Sequence, residues 1–272
     1  MLWRCGTQFE FRYVKNIRHE PGLAAVVGQG AHKSAEDNLR RKLETGALMS
    51  EEEVEQTARD ATVKHYDDGV HLLPEEKSLP DHGKGQAIDE AVNFARVHHR
   101  RIAPKIDPVS VERPWVVRLN GLPFDLAGKF DVEEKKVGRD IIRDLKTTRK
   151  SPPKRMADNS EQLTIYALAK SVVDGRPADE LRLDYLVQSK RTGTRHVELS
   201  TTRTKEDLDV AIRRIANASR AIELGHFVPT DQSNWHCSPR WCGYTAICPY
   251  YRGKTTFGMT HNEEEEEGSI DE

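Results

Sequence analysis

Over the first hundred positions the apolar residues recur at helical spacing; beyond that, strand-like runs appear, separated by further helices. Gln29 to Lys42 carries Ala31, Ala35 and Leu39 three or four residues apart, which predicts a helix. Ser50 followed by Glu53 is a capping-box signature and predicts a helix running to about His65. After the turn-rich LPEEKSLPDHGKG, Gln86 to Arg101 sets Ile88, Val92 and Ala95 on one side of another helix. The character then changes. Pro108 to Asn120 reads as a strand, carrying Val109, Val111, Val116, Val117 and Leu119. Phe124 to Glu133 and Gly138 to Thr147 predict two more strands joined by a short charged turn. Asp158 and Ser160 open a helix through Gln162, Ile165, Tyr166 and Ala169, stopped at Asp174-Gly175-Arg176-Pro177. Leu181 to Ser189 is the strongest strand, with Arg195 to Ser200 as a partner. Glu206 to Leu224 predicts a long helix ended by Gly225, and 229–252 is short, irregular and Cys-rich. No internal repeat is present. The order predicts an α/β fold: a mixed central sheet flanked by helices, with an N-terminal helical part and a Cys-rich C-terminal cap.

Composition narrows the class. A length of 272 residues suits one large domain or two small ones. No run approaches the ~18 apolar residues of a membrane span. The opening MLWRCGTQFEFRYV lacks the apolar core of a secretory signal, so a cytoplasmic protein is expected. The four cysteines are then thiols or metal ligands rather than a disulfide framework. The net charge of −2 is unevenly spread. The closing HNEEEEEGSIDE holds seven of the 44 acidic residues and no Lys or Arg. Without them 37 acidic residues face 42 basic ones, a body of about +5. Adjacent glutamates repel and bury nothing, so 260–272 is expected to be a disordered acidic tail.

The candidate chemistry starts at Asp144-Leu145-Lys146. A strand period of two puts Asp144 and Lys146 on one face. A hairpin turning at Val137-Gly138 pairs residues whose numbers sum to 275, which sets Asp131 opposite Asp144. Facing carboxylates repel. A divalent cation between them removes the repulsion, and oxygen ligands suit Mg²⁺ or Mn²⁺. A solvated hairpin face accounts for the same residues without any chemistry.

Gly128-Lys129-Phe130-Asp131 followed by Asp144-Leu145-Lys146 resembles the core of the PD-(D/E)XK nucleases, within them the RecB-like exonuclease branch. Gly28-Gln29-Gly30-Ala31-His32 resembles that branch's upstream glycine–histidine motif, and Gln162 with Tyr166 its Q-x-x-x-Y motif. Phe130 stands where the name-giving motif has proline; RecB-like members commonly show G-x-x-D there. The resemblance implies a single RecB-like nuclease domain over residues 1–252, with a restriction-endonuclease-like core. It implies that His32, Asp131, Asp144 and the Leu145 carbonyl hold Mg²⁺ or Mn²⁺, with Lys146 assisting a water. Gln162 and Tyr166 are implied to contact the DNA end or orient the lysine. Glu36, four residues after His32, shares its helix face and could approach the same cation.

Cys237, Cys242 and Cys248 lie within twelve positions, and Cys5 lies at the other end of the chain. Four thiolates there would clasp the termini, filled by tetrahedral Zn²⁺ or by an iron–sulfur cluster. A subset of RecB-like nucleases, including AddB-type and CRISPR-associated adaptation nucleases, holds a 4Fe-4S cluster on one N-terminal and three C-terminal cysteines. The resemblance therefore implies 4Fe-4S, with zinc as the alternative. Cys5-Gly6-Thr7-Gln8-Phe9-Glu10-Phe11 is similar to that subset's C-P-x-x-F-x-Y helix. Only four residues precede Cys5, fewer than usual, which points to a truncation or a late start.

After the catalytic strand, Arg149, Lys150, Lys154 and Arg155 are candidate phosphate contacts. Trp235 and Trp241 are placed to cover the metal site or to stack on bases. The combined expectation is a Mg²⁺- or Mn²⁺-dependent exodeoxyribonuclease acting on DNA ends or single strands. Its setting would be repair or recombination in a bacterial or phage-infected cell. Any helicase or recombination partner would be a separate chain, since no helicase motif is present. Two other classes stay open: a catalytically inactive DNA-binding or complex-assembly subunit, and a zinc-binding interaction module.

Overall fold

The structure, a computed structural model, describes residues 1–189 and 193–253; the acidic segment 260–272 lies outside the described residues. In chain order the elements are α1 (Gly6–Phe9), a π-helical turn (Glu10–Val14), α2 (Leu23–Thr45), α3 (Glu51–Asp67), α4 (Pro74–Lys77) and α5 (Lys84–Arg101). They continue with β1 (Pro108–Val117), β2 (Leu126–Lys136), β3 (Arg139–Thr148), α6 (Glu161–Val173), β4 (Glu180–Ser189), β5 (Gly193–Thr201) and α7 (Lys205–Glu223). Contacts divide the chain into two compact units. One runs from Glu20 to Glu223; the other combines Met1–His19 with the chain from Leu224 onward.

In the first unit α2 begins six residues before the predicted start, because Leu23, Val26 and Val27 extend the buried stripe of Ala31, Ala35 and Leu39. Ser50 caps α3 as its sequence predicts. Its hydroxyl accepts from the Glu53 N–H, and the Glu53 carboxylate accepts from the Ser50 N–H.

The five strands form one sheet in the order β1-β2-β3-β4-β5. All neighbours are antiparallel except β3 and β4, which run parallel and are joined through α6. This is the mixed sheet that the apolar pattern predicts. Leu23, Val27, Phe94, Val111 and Leu186 form a core with α2 and α5. Trp115, Phe130, Ile142, Leu163, Leu181 and Leu183 form a second core with α6. Each such side chain, fully buried, stabilises the fold by roughly 1.5–3 kcal/mol. No helix among the described residues is long and apolar enough to cross a membrane.

In the second unit the chain's first and last described segments are hydrogen-bonded to each other. Gly6 N–H donates to the Val228 carbonyl at 2.7 Å, and the Tyr244 hydroxyl donates to the Ile17 carbonyl at 2.9 Å. Phe11 packs against the Tyr244 ring.

Candidate active site

The β2–β3 hairpin turns at Val137 and Gly138, both with positive φ (49° and 76°). Its pairs, from Lys136 with Arg139 to Val132 with Arg143, all sum to 275. One step further along this register lie Asp131 and Asp144. On the other side of β2, Val111 pairs with Val132 and Arg113 with Phe130, which brings Glu112 level with Asp131. Three carboxylates therefore stand in a row across β1, β2 and β3. Side-chain alternation breaks at this row. Phe130 packs into the α6-side core, whereas Val132, two residues on, joins the α2-side core. Glu112 itself has φ of 55°, a left-handed conformation in mid-strand.

From the helical side comes His32 of α2. Its Nε2–H donates to Asp131 Oδ2 at 2.9 Å and lies 3.8 Å from Glu112 Oε1. One donor atom from each of His32, Glu112 and Asp131 falls within 4.8 Å of the others, a spacing that one cation can bridge. Two glycines before His32 let α2 pack closely: a Cβ on Gly28 would meet Thr147 Oγ1 of β3 at 3.0 Å. A Cβ on Gly30 would meet Thr62 Oγ1 of α3 at 2.0 Å. Likewise a Cβ on Gly128, ahead of Asp131, would sit 2.4 Å from the Trp115 ring. Glu36 lines the same cavity, but its carboxylate is engaged: it accepts from Arg40 at 2.9 Å and lies 3.4 Å from Lys33. Glu112 takes the place that helical spacing offers to Glu36.

Asp144 is fully buried. Lys146 Nζ lies 2.6 Å from its Oδ2, but off the hydrogen-bonding direction, so neither oxygen has a well-directed partner. Burial, helped by the Asp131 charge, pushes the Asp144 carboxyl up to about 6. Burial acts the same way on Asp131, but the His32 hydrogen bond and charge, Lys146 and the Leu145 N–H outweigh it and hold that carboxyl below its ordinary value. Burial lowers the His32 imidazole, yet the hydrogen bond to Asp131 and the surrounding carboxylates raise it on balance. A buried carboxylate without proper donors, beside a second carboxylate and an imidazole, is a donor set that fits a hard divalent cation.

A chain of hydrogen bonds closes the site on the α6 side. Lys146 Nζ donates to Gln162 Oε1 at 2.8 Å, Gln162 Nε2 donates to the Tyr166 hydroxyl at 3.0 Å, and that hydroxyl donates to Asp131 Oδ1 at 3.2 Å. Burial and the nearby Asp131 and Asp144 charges raise the Tyr166 pKa, so its proton stays in place to donate. The Leu145 N–H donates to Asp131 Oδ2 at 3.3 Å, and its side chain packs toward the α2-side core.

The four candidate phosphate contacts differ. Arg149 is held by both oxygens of Glu90 on α5, at 3.1 and 2.6 Å. Lys150, Lys154 and Arg155 are exposed, with Arg155 3.9 Å from Asp158.

In the second unit Cys5, Cys237, Cys242 and Cys248 line one cavity, together with Gln8, His236 and Tyr244. All four are free thiols. Burial, then the neighbouring sulfurs, pushes the Cys237 thiol up. Gln8 Nε2 points at Cys242 Sγ at 3.8 Å. No three of the sulfurs lie within 4.8 Å of one another. Bonds of ~2.3 Å in a tetrahedral zinc site would bring them to about 3.8 Å. Trp235 and Trp241 meet edge to face at 5.1 Å with both rings largely exposed.

Compared with known proteins, residues 2–249 match the family model described as the PD-(D/E)XK nuclease superfamily. No curated protein matches the sequence. Among solved structures, the chain is similar to a candidate exonuclease from Eubacterium rectale at 14% identity and a TM-score of 0.46. That match covers 86% of this chain and 80% of the other. It is also similar to SSO0001 at 12% identity and a TM-score of 0.40, covering 90% and 94%. Of the row of carboxylates, Glu112 is the one that sequence reasoning missed.

Proposed function

The chain belongs to the PD-(D/E)XK nuclease superfamily, and from that premise we propose that it is a Mg²⁺- or Mn²⁺-dependent exodeoxyribonuclease of the RecB-like branch. The observation that carries this reading is Asp144: a buried carboxylate without a well-directed hydrogen bond, one strand from Asp131 and beside Lys146. His32, Glu112, Asp131, Asp144 and the Leu145 carbonyl would hold the cation. When bound, it would lower the pKa of a water and take up charge on the scissile phosphate.

The protein's own groups set up the rest. Lys146, steered by Gln162 and Asp144, holds a proton donor where negative charge develops on the phosphate. Tyr166 fixes the rotation of Asp131 through its hydrogen bond. Lys150, Lys154 and Arg155 sit after the catalytic strand and would hold the phosphate backbone without reading bases.

The four cysteines we read as ligands of a 4Fe-4S cluster, with zinc as the alternative. Their shared cavity supports a common ligand. We place the activity in DNA repair or recombination in a bacterial or phage-infected cytoplasm, with any helicase as a separate chain. The test is a Mn²⁺ digest of linear, end-blocked and circular DNA by wild type and Asp144→Ala. Loss of linear DNA with circles spared, abolished in the variant, is the expected result. Equal cleavage by both proteins would sink the assignment.

A further inference from the structure

Beyond the groups that reach the metal site, α6 carries a second set of polar residues on the same face. Gln162, Tyr166, Lys170 and Asp174 follow one another at four-residue intervals. Lys170 Nζ donates to Glu133 Oε1 at 2.6 Å, and both side chains are almost free of solvent. Glu133 also accepts from Ser110 and twice from Arg113, and Arg113 reaches on to Asp174 at 3.0 and 3.1 Å. Lys170 closes the ring by pairing with Asp174. The four charges of this ring balance.

Buried ion pairs add little net stability over apolar residues of the same size, so stability alone is a weak reason for this one. Its geometry suggests another. A four-residue helix step advances ~6 Å, and a two-residue strand step ~6.8 Å. The two steps nearly match, so residues four apart on α6 can meet residues two apart on β2: Tyr166 donates to Asp131 and Lys170 to Glu133. At the opposite end of α6, Arg203 donates to the Ala157 and Ser160 carbonyls and to Thr164 Oγ1, fixing the start of the helix.

We propose that Lys170 and Glu133 are positioning residues: their buried pair sets the register of α6 along β2, so that Tyr166 meets Asp131 and Gln162 meets Lys146. The catalytic part of this rests on the nuclease reading; the metal-binding part does not. Removing outer partners of metal ligands commonly lowers affinity or activity 10–100-fold.

The experiment compares wild type, Lys170→Met, Lys170→Arg, Tyr166→Phe and the Lys170→Met/Tyr166→Phe double variant. Mn²⁺ affinity is read by calorimetry, and kcat and KM on linear DNA by digestion. Lys170→Met is expected to weaken Mn²⁺ binding about tenfold or more and to lower kcat while KM for DNA holds. Lys170→Arg, which keeps the charge, is expected to recover most of both. The double variant is expected to be no worse than the poorer single one, because the two residues act through the same contact. Additive losses, or Mn²⁺ affinity unchanged in Lys170→Met, would overturn the proposal. Should Lys170→Met not fold, Glu133→Gln takes its place in the same comparison. A wild type without cleavage would count against the nuclease reading, while the Mn²⁺ affinities would still decide the role of Lys170.

Discussion

At the scale of single residues, Asp144 trades stability for a charge held ready. Its folded carboxyl titrates near 6, above the ~3.9 of an unfolded aspartate. The folded state thus holds the proton more tightly. The stability this gives is complete below about pH 4 and is lost as the pH rises through 6. The rise from the unfolded to the folded value is equivalent to roughly 3 kcal/mol. In metal-free buffer Asp144→Asn is therefore expected to unfold later than wild type at pH 8, with the gap narrowing toward pH 4; thermal melts across that range measure it. Asp131, Asp144 and Lys146 were legible because a short hairpin fixes its own register. Glu112 was not. A two-residue turn at Asn120-Gly121 would have paired numbers summing to 241 and set Ser110 against Asp131, whereas the longer loop shifts the sum to 243. Nor does the alternation of Val111, Trp115 and Val117 betray that these residues enter opposite cores.

At the scale of elements, the hairpin that aligns the carboxylates contains a strained turn. Val137 is 97% exposed, so nothing packs its side chain, and it adopts a φ that β-branched residues resist. Asn-Gly is the favoured pair for such a turn. Val137→Asn is expected to raise stability by about 1 kcal/mol in urea unfolding, with cleavage unchanged. Helices were legible from capping and spacing, as at Ser50-Glu53. Sheet order was less so: that β3 and β4 pair in parallel depends on where α6 packs, which local sequence does not encode.

At the scale of the whole molecule, the chain is built as two units, and only one holds the carboxylates. The other depends on residues close to both ends of the sequence. On the proposed iron–sulfur reading, Cys242→Ser is expected to abolish visible absorbance and to open 224–253 to limited proteolysis, while the 20–223 unit stays resistant. Equal protection in both proteins would show that the thiols contribute nothing to that unit.

The contact of Gly6 with Val228 and the shared cavity of Cys5 and Cys237 join positions about 230 residues apart. Closing so long a loop carries an entropic cost that nearer contacts must first offset. On a ribosome Cys5 emerges about 230 residues ahead of Cys237, and every strand of the sheet is made in between. A chain halted after β5 holds every strand of the sheet yet lacks three of the four thiols that line that cavity. A completed cavity would then report that synthesis has passed Cys248.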